Sequence, residues 1–381
     1  MEGASLGPLV EGSRVLVCCG TGGVGKTTTA AALAIEGARR GRDAVVVTID
    51  PAKRLASALG LQELAATAHE IDRSLWDVDR TAAPGGRLSA LMLDTRTTFD
   101  ELVRRFALTS EQAEQILANR FYRNVAGALS GTQEYMAAEK LHELHEEGGY
   151  ELIVVDTPPS RHALDFLDAP HRMTRLLDNR IFRLLMVPTR TSLRVVGGAL
   201  QAFLHTVGRV VGSEVIDDVI EFFRAFEGME EGFRTRAQRV MELLADPGTR
   251  FVLITSPRRD AVDEAQFFAD RLAETETPVA ALVVNRVHPR FGDERPEGLE
   301  ARAATLTGKD DDPEAKAAAG RLAALYSNLA EFQEIADREE RTLSGVQDRI
   351  GSATVVHVPF LACDVHDFAS LRLVGHHLFD G

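Results

Sequence analysis

The feature that most constrains this fold is a glycine-rich turn within residues 14–29, RVLVCCGTGGVGKTTT. Apolar residues 15–19 predict a buried strand, and the alanines after Thr29 favour a helix that Gly41 ends. Glycine accepts backbone conformations that other residues avoid, so the chain can turn tightly between the two elements. A strand, a tight loop and a helix in this order predict the first unit of an α/β fold.

The turn also has the spacing of a phosphate-binding loop: Gly20, four residues, and then Gly25, Lys26 and Thr27. Its backbone N–H groups and the start of the helix are expected to hold phosphate oxygens. The Lys26 side chain would reach the terminal phosphates, and the Thr27 hydroxyl would bind Mg²⁺. The residues expected to contact the bound nucleotide here are Gly22, Gly23, Val24, Gly25, Lys26, Thr27 and Thr28.

Composition narrows the class of partner. The 381 residues carry a net charge of -14, which disfavours nucleic acid or an anionic membrane surface as the main partner. We find no uncharged apolar run of the roughly 18 residues that a membrane span needs, and the first residues lack the pattern of a signal peptide. The sequence therefore favours a cytoplasmic protein.

The three cysteines do not form a recognisable metal or disulfide pattern. Cys18 and Cys19 are neighbours in the first strand, and Cys363 stands far from both. No disulfide framework and no CxxC site can be built from this set within one chain. We expect all three to be small buried apolar side chains.

Further apolar segments alternate with helical ones along the chain. The predicted strands after the first are 43–50, 87–94, 150–157, 250–256, 281–287 and 353–360. Nearly continuous apolar strands are typical of a parallel sheet covered on both faces. The fold class is therefore α/β: a doubly wound, mostly parallel sheet of the P-loop NTPase kind, with an inserted α-helical subdomain.

Two long helical segments interrupt that alternation. We predict a nucleotide-binding domain made of residues 1–96, 148–169 and 246–381, with helical insertions at 97–147 and 170–245. Apolar stripes in the second insertion are typical of packed core, and a groove for an apolar client is the alternative. The residues of these stripes are Val196, Leu200, Leu204, Val207, Val211, Val219, Phe222, Phe223 and Phe226.

The segment at residues 290–320 is charged and alanine-rich, and we predict an exposed loop there. An amphipathic helix should follow, because large apolar residues recur at helical spacing. Its apolar residues are Leu322, Leu325, Leu329, Phe332 and Ile335.

Two carboxylates end predicted strands near the loop. Asp50 follows the second strand, and Asp156 ends the segment IVVD before Thr157. Because parallel strands end at the same edge of a sheet, both should face the bound triphosphate. Asp156 is predicted to bind Mg²⁺, and Asp50 to orient or deprotonate the attacking water.

Four ordered motifs then carry a family resemblance: GTGGVGKTT, TIDPAKRLASALG, VVDTPPSRHALDFL and LVVNR. Together they resemble the arsenite-pump ATPases and the tail-anchored-protein-targeting ATPases, which share a deviant phosphate loop, and we expect a bacterial member. The resemblance implies ATP and Mg²⁺ as ligands, a nucleotide-gated dimer, and a hydrophobic client or membrane-protein partner. It also implies that Asn285 reads the adenine and that Pro359 lies near the base.

The sequence departs from that family at the loop. The family has a lysine that crosses the dimer interface, whereas this chain has Thr21. A cation supplied in trans to a phosphoryl group can be worth about 10³ to 10⁵ in rate, by analogy with arginine fingers. We hypothesise a heterodimer with a paralogous ATPase that supplies the lysine; the alternative is a homodimer in which Lys53, Arg54 or Arg161 substitutes.

Other departures and alternatives remain at this stage. Residues 286–320 contain no cysteine, so the zinc clasp of the targeting ATPases is not expected. An ATPase subunit of an anion or metalloid efflux system is one alternative function. A partition-type positioning ATPase is another, although the acidic composition counts against it.

Overall fold

A mixed sheet lies at the centre of the described structure, a computed structural model that covers residues 4–49, 54–61, 63–125, 132–146, 149–158, 165–179, 213–275, 277–306 and 313–380. The sheet has eight strands, of which seven run parallel and one short edge strand runs antiparallel. Helices cover both faces. This arrangement confirms the predicted α/β class with a doubly wound, mostly parallel sheet.

Each predicted strand segment contains a strand. The strands are β1 (Val15–Cys19), β2 (Asp43–Thr48), β3 (His69–Glu70), β4 (Arg87–Met92), β5 (Leu152–Asp156), β6 (Thr249–Thr255), β7 (Val279–Val287) and β8 (Thr354–Pro359). Their order across the sheet is β3-β4-β2-β5-β1-β6-β7-β8. Only the two-residue edge strand β3 was not predicted. Because β1 lies between β5 and β6, the glycine loop after it lies at the carboxyl edge of the central strands.

The helices separate these strands. They are α1 (Gly7–Gly12), α2 (Lys26–Arg39), α3 (Arg54–Ala58), α4 (Arg73–Trp76), α5 (Thr95–Phe106), α6 (Ser110–Ala118), α7 (Arg120–Val125), α8 (Thr132–Glu146), α9 (Asp165–Asp178), α10 (Ser213–Ala225), α11 (Glu230–Ala245), α12 (Arg259–Glu274), α13 (Pro296–Leu306), α14 (Pro313–Ile350) and α15 (Phe368–Phe379). Among the described residues, no helix combines the length and apolarity that crossing a membrane requires.

Alternate residues of β1 show how the two faces of the sheet are filled. Val15 and Val17 point into a core shared with α8, α11, α12 and α14, whereas Leu16 and Cys18 point into a core shared with α1, α2 and α15. Since side chains alternate along a strand, both sets must be apolar when both faces are covered. This explains the continuous apolar character of the central strands.

A third core joins α5 to α11 in a helical layer. Its residues include Tyr122, Met229 and Phe233, and the rings of Phe226 and Phe233 lie 5.1 Å apart. Of the described stripe, Phe226 is buried in this core, and Phe222 and Phe223 are half-buried against it. The stripe at 196–211 lies outside the described residues. The boundaries proposed for the two insertions remain predictions.

The loop predicted at 290–320 is wrong in part, because α13 forms within it. Alanine-rich sequence favours a helix, and Leu299 and Ala303 are buried where α13 packs against α14. The amphipathic helix that follows is confirmed as α14, but its predicted buried face is not: Leu325 is 64% exposed, while Ala330 is buried. Small side chains let α13 and α14 approach closely, so alanines lie on the buried face of α14. The prediction was wrong because it placed the large apolar residues on that face.

Candidate nucleotide-binding site

The glycine loop after β1 has a backbone that only glycine accepts easily. Gly20, Gly23 and Gly25 have φ angles of 151°, 78° and 97°. A Cβ atom would lie 2.1 Å from the carbonyl oxygen of Ile254 if added at Gly20, and 2.2 Å from Nδ2 of Asn285 if added at Gly25. The local conformation and the close neighbours both require glycine here, as a loop that wraps an anion needs.

Lys26 is the first residue of α2, and its side chain is held against the loop. Its Nζ donates a hydrogen bond of 2.8 Å to the carbonyl oxygen of Thr21. The residue is 6% exposed, so the ammonium group lies within the folded loop rather than in solvent. The positive end of the α2 dipole is at the same place. An anion at this loop would meet both positive charges.

Asp156 and two threonines form a buried oxygen cluster beside the loop. Oδ2 of Asp156 accepts hydrogen bonds from the Thr27 hydroxyl at 2.8 Å and from the Thr48 hydroxyl at 3.0 Å. The pairing of β2 with β5 sets Thr48 opposite Asp156, and α2 supplies Thr27. Asp156 is 1% exposed. Oxygen ligands with a formal negative charge are the ligands that hard cations such as Mg²⁺ prefer.

Two adjoining cavities open beside these residues. The loop cavity, of about 350 Å³, is lined by Lys26, Thr27, Arg54 and Thr157. The β8 cavity, of about 440 Å³, is lined by Asn285, Pro359, Phe360 and Cys363. The lining residues that both cavities share are Gly25, Thr28, Arg286 and Val365. Each volume falls within the range of about 300–1,000 Å³ typical of ligand pockets.

Asn285 connects the β8 cavity to the glycine loop. Its Nδ2 donates a hydrogen bond of 2.8 Å to the carbonyl oxygen of Val24, so the end of β7 is tied to the glycine loop. Pro359 ends β8, next to β7, and lies in the same cavity as Asn285. The structure thus brings together the two residues that the resemblance assigned to the base.

The structure places most of the predicted site residues around one opening. Those that line the loop cavity are Gly23, Gly25, Lys26, Thr27 and Thr28. Gly22 is exposed in the loop, and the side chain of Val24 is buried. Asp50 lies outside the described residues. Its neighbour Ile49 is described, and the Ile49 backbone N–H donates to the carbonyl oxygen of Asp156 at 3.1 Å.

Several residues at the site were missed by sequence reasoning, among them Thr48, Ser57 and Arg286. Thr48 contacts Asp156, Ser57 lines the loop cavity, and Arg286 lines both cavities. The position of Thr48 depends on strand pairing, which no local pattern reveals. The only signal for Arg286 was its place directly after Asn285 at the end of an apolar strand.

The cysteine prediction is confirmed for two residues and wrong for the third. Cys18 and Cys19 are buried, and burial is the main cause that raises the pKa of Cys18 well above its usual value and that of Cys19 to about 12. Both thiols therefore stay protonated and unreactive at neutral pH. Cys363 is exposed, because it lies on the chain after β8 that borders the cavity.

Comparison with known proteins identifies relatives of this chain and its family. The chain is 26% identical to the ATPase GET3 of Phaeosphaeria nodorum over 270 residues. The matched region covers 70% of this chain and 74% of the relative. An ATPase GET3 of Malassezia globosa is 31% identical over 162 residues, or 42% and 44% of the two chains. These relatives are fungal, so the bacterial origin stays a prediction. The model of a family described as "Anion-transporting ATPase" matches residues 13–307, and the chain is therefore an ATPase that belongs to this family.

Proposed function

We propose that this ATPase binds ATP with its phosphates on the glycine loop and its base in the β8 cavity, and that it hydrolyses the terminal phosphate. The observation that carries the proposal is the 2.8 Å hydrogen bond from Thr27 to Asp156, beside a loop in which Gly20 and Gly25 leave no room for a side chain. Such a loop favours an anion, while the carboxylate beside it favours a cation. A triphosphate with its metal ion satisfies both.

The oxygen cluster fits Mg²⁺. Thr27 and Asp156 would hold the ion, because a hydroxyl and a buried carboxylate already meet there and Thr27 also lines the loop cavity. When bound, Mg²⁺ would neutralise charge on the phosphate oxygens. Thr48 would keep the Asp156 carboxylate oriented through its own hydrogen bond.

The remaining roles belong to groups of the chain itself. Lys26 would hold the terminal phosphates, leaving the Thr21 carbonyl oxygen when a nucleotide is bound. Asp50 would orient the attacking water and accept its proton. The contact of Ile49 with Asp156 supports this role, because it brings the end of β2 to the oxygen cluster one residue before Asp50. Asn285 and Pro359 would contact the adenine.

The active assembly is proposed to be a dimer, and we favour a heterodimer. At the loop position where the family resemblance places a trans-acting lysine, this chain has Thr21, whose carbonyl oxygen instead accepts from Lys26. A paralogous ATPase could supply the missing charge to this site. Arg54 lines the loop cavity and is the described candidate for a substitute in a homodimer. The dimer would couple hydrolysis to remodelling of an apolar client or a membrane-protein partner.

The test is ATP hydrolysis by the purified chain, alone and with a paralogous ATPase that carries the lysine, with subunit composition followed by native mass spectrometry. We expect strong stimulation within a one-to-one complex. Lys26→Ala and Asp50→Asn in this chain should each abolish the stimulated activity, while Lys316→Ala, a change at an exposed lysine of α14, should not.

The possible outcomes separate the parts of the proposal. Full activity of a homodimer with no gain from the partner would contradict the heterodimer, and Arg54→Ala would then test the substitute cation. If Lys26→Ala hydrolysed ATP as fast as the unmodified chain, the assignment of the loop as the phosphate site would be wrong.

A further inference from the structure

Arg286 has a backbone conformation that is unusual for its residue type. Its φ angle is 62°, in the left-handed region, where side chains other than glycine cost about 1–2 kcal/mol. The register between β7 and β8 shifts at the same place, between Asn285 and Val287. Arg286 is thus the extra residue of a β-bulge, and bulges beside active sites commonly redirect a side chain.

Hydrogen bonds fix the bulge relative to the glycine loop. The backbone N–H of Arg286 donates to Oδ1 of Asn285 at 2.9 Å, and Nδ2 of the same amide donates to the Val24 carbonyl oxygen at 2.8 Å. After the bulge, the Phe360 N–H donates to the carbonyl oxygen of Val287 at 2.9 Å. The start of the Arg286 side chain is therefore held at a constant distance from the loop.

Arg286 lies where the two cavities meet. Arg286 lines both of them, together with Gly25, Thr28 and Val365. It is exposed, and among the described residues its guanidinium forms no ion pair. In a chain with 57 acidic and 43 basic residues, an exposed cation at a cavity junction that forms no ion pair with any described acidic side chain suggests a bound anion.

We propose that the Arg286 guanidinium binds the α-phosphate of the nucleotide within the same subunit. This rests on the proposed function, in which the terminal phosphates occupy the loop cavity and the base occupies the β8 cavity. The junction must then hold the part of ATP that connects them, the α-phosphate and the ribose. A guanidinium presents a planar fork of donors that matches two phosphate oxygens, which a lysine ammonium does not.

The test uses two variants that separate charge from backbone strain. Arg286→Asn removes the charge but tolerates the left-handed conformation, and Arg286→Lys keeps the charge without the fork. We expect Arg286→Asn to weaken binding of ATP and of ADP by the same factor, about tenfold to a hundredfold, measured by calorimetry with Mg²⁺. The affinities of Arg286→Lys for ATP and ADP should lie between those of Arg286→Asn and those of the unmodified chain. Arg250→Asn, at an exposed position in β6, should leave both affinities unchanged.

Each other outcome has a distinct meaning. If the unmodified chain binds ATP, and Arg286→Asn binds ATP and ADP as tightly as the unmodified chain does, the inference about Arg286 is wrong. The nucleotide site then still stands. A loss confined to ATP would also overturn it, since that would place the guanidinium on the γ-phosphate. If the unmodified chain binds neither nucleotide, the proposed function itself fails.

Discussion

Asp156 and Glu139 are equally buried, each 1% exposed, but they lie in different regions of the molecule. Asp156 ends a central strand and accepts hydrogen bonds from the hydroxyls of Thr27 and Thr48. Glu139 lies in α8 within the helical layer, and its Oε1 accepts a hydrogen bond of 2.5 Å from the buried guanidinium of Arg236. Asp156 lies beside Thr27, which lines the loop cavity, whereas Glu139 lies away from that cavity and is paired with a cation of the helical layer.

Under the proposed function, the charge of Asp156 would serve a ligand, whereas the charge of Glu139 serves the fold. Burial raises the pKa of Glu139, and the attraction of Arg236 opposes that rise. Such a pair contributes little net stability, but losing one partner leaves an uncompensated charge in the interior. Substitutions in the helical layer should therefore change the free energy of unfolding, and those at Asp156 should change catalysis.

The largest expected effect is at the buried ion pair. Arg236→Met should lower the free energy of unfolding by about 3–5 kcal/mol, because it leaves the buried Glu139 carboxyl without its cation and hydrogen-bond donor. Urea unfolding followed by circular dichroism measures this change. The affinity for ATP should stay the same at temperatures where the variant is folded.

The double variant Glu139→Gln/Arg236→Met is the control for that prediction. Because it removes both charges, it should recover most of the lost stability. A cost below about 1 kcal/mol for Arg236→Met alone would mean that the pair is solvated, and the comparison with Asp156 would lose its basis.

At Asp156 we expect a substitution to change the rate of ATP hydrolysis and to leave the stability nearly unchanged. Asp156→Asn keeps an oxygen that can accept from Thr27 and Thr48, so the free energy of unfolding should change little. Loss of the negative charge should lower the rate of ATP hydrolysis at least about a hundredfold, since even residues that only support a metal ligand cost 10- to 100-fold. Steady-state hydrolysis at saturating Mg²⁺ measures the effect.

Asp348→Asn is the matched control, because Asp348 is an exposed aspartate of α14. It should change neither rate nor stability. Should Asp156→Asn unfold the protein while the stimulated rate per folded molecule stays normal, Asp156 would be a structural residue like Glu139.

Much of the region around Asp156 could be predicted because its signals are local. The glycine spacing, the apolar strand and the terminal aspartate lie within short windows, and a parallel sheet brings strand ends to one edge. The resemblance added Asn285 and Pro359, which lie 261 and 335 residues after Val24 in the sequence. These two residues nevertheless line one cavity, the β8 cavity beside the glycine loop.

The helical layer could not be predicted in the same detail. Arg236 and Glu139 are 97 residues apart, and neither sequence neighbourhood marks them as partners.

The buried face of α14 was also predicted wrongly, because close packing against α13 favours alanine over the larger Leu325. The left-handed backbone of Arg286 gave no signal, since arginine is not a residue type that indicates it.

A pH dependence of stability should distinguish the two regions further. His142 is buried in α8, and burial, followed by the nearby Arg236, lowers its pKa from 6.5 to about 4. The folded state therefore keeps this histidine neutral below pH 6.5, where the unfolded chain takes up a proton. Stability is retained above pH 6.5 and lost as the pH falls from 6.5 to about 4.

His142→Gln removes that titration. Between pH 7 and pH 4 the unmodified chain should lose about 2 kcal/mol more stability than this variant, as measured by urea unfolding at each pH. Equal slopes for the two proteins would show that His142 takes up its proton at the same pH in the folded and the unfolded chain, so that the layer near Arg236 is open to water.

The smallest expected effect is at Thr48, and it tests whether the Asp156 region is purely a ligand site. Thr48→Val keeps the shape of the side chain but removes one hydrogen bond to Asp156, at a cost of about 1 kcal/mol. Because Thr27 still donates to the same oxygen, the carboxylate should stay in place but turn more freely. We therefore expect a higher Mg²⁺ concentration for half-maximal hydrolysis, by about threefold to tenfold, with little change in the maximal rate. If Thr48→Val instead lowered the maximal rate and left the Mg²⁺ requirement unchanged, the threonine would act on the attacking water near Asp50 rather than through Asp156.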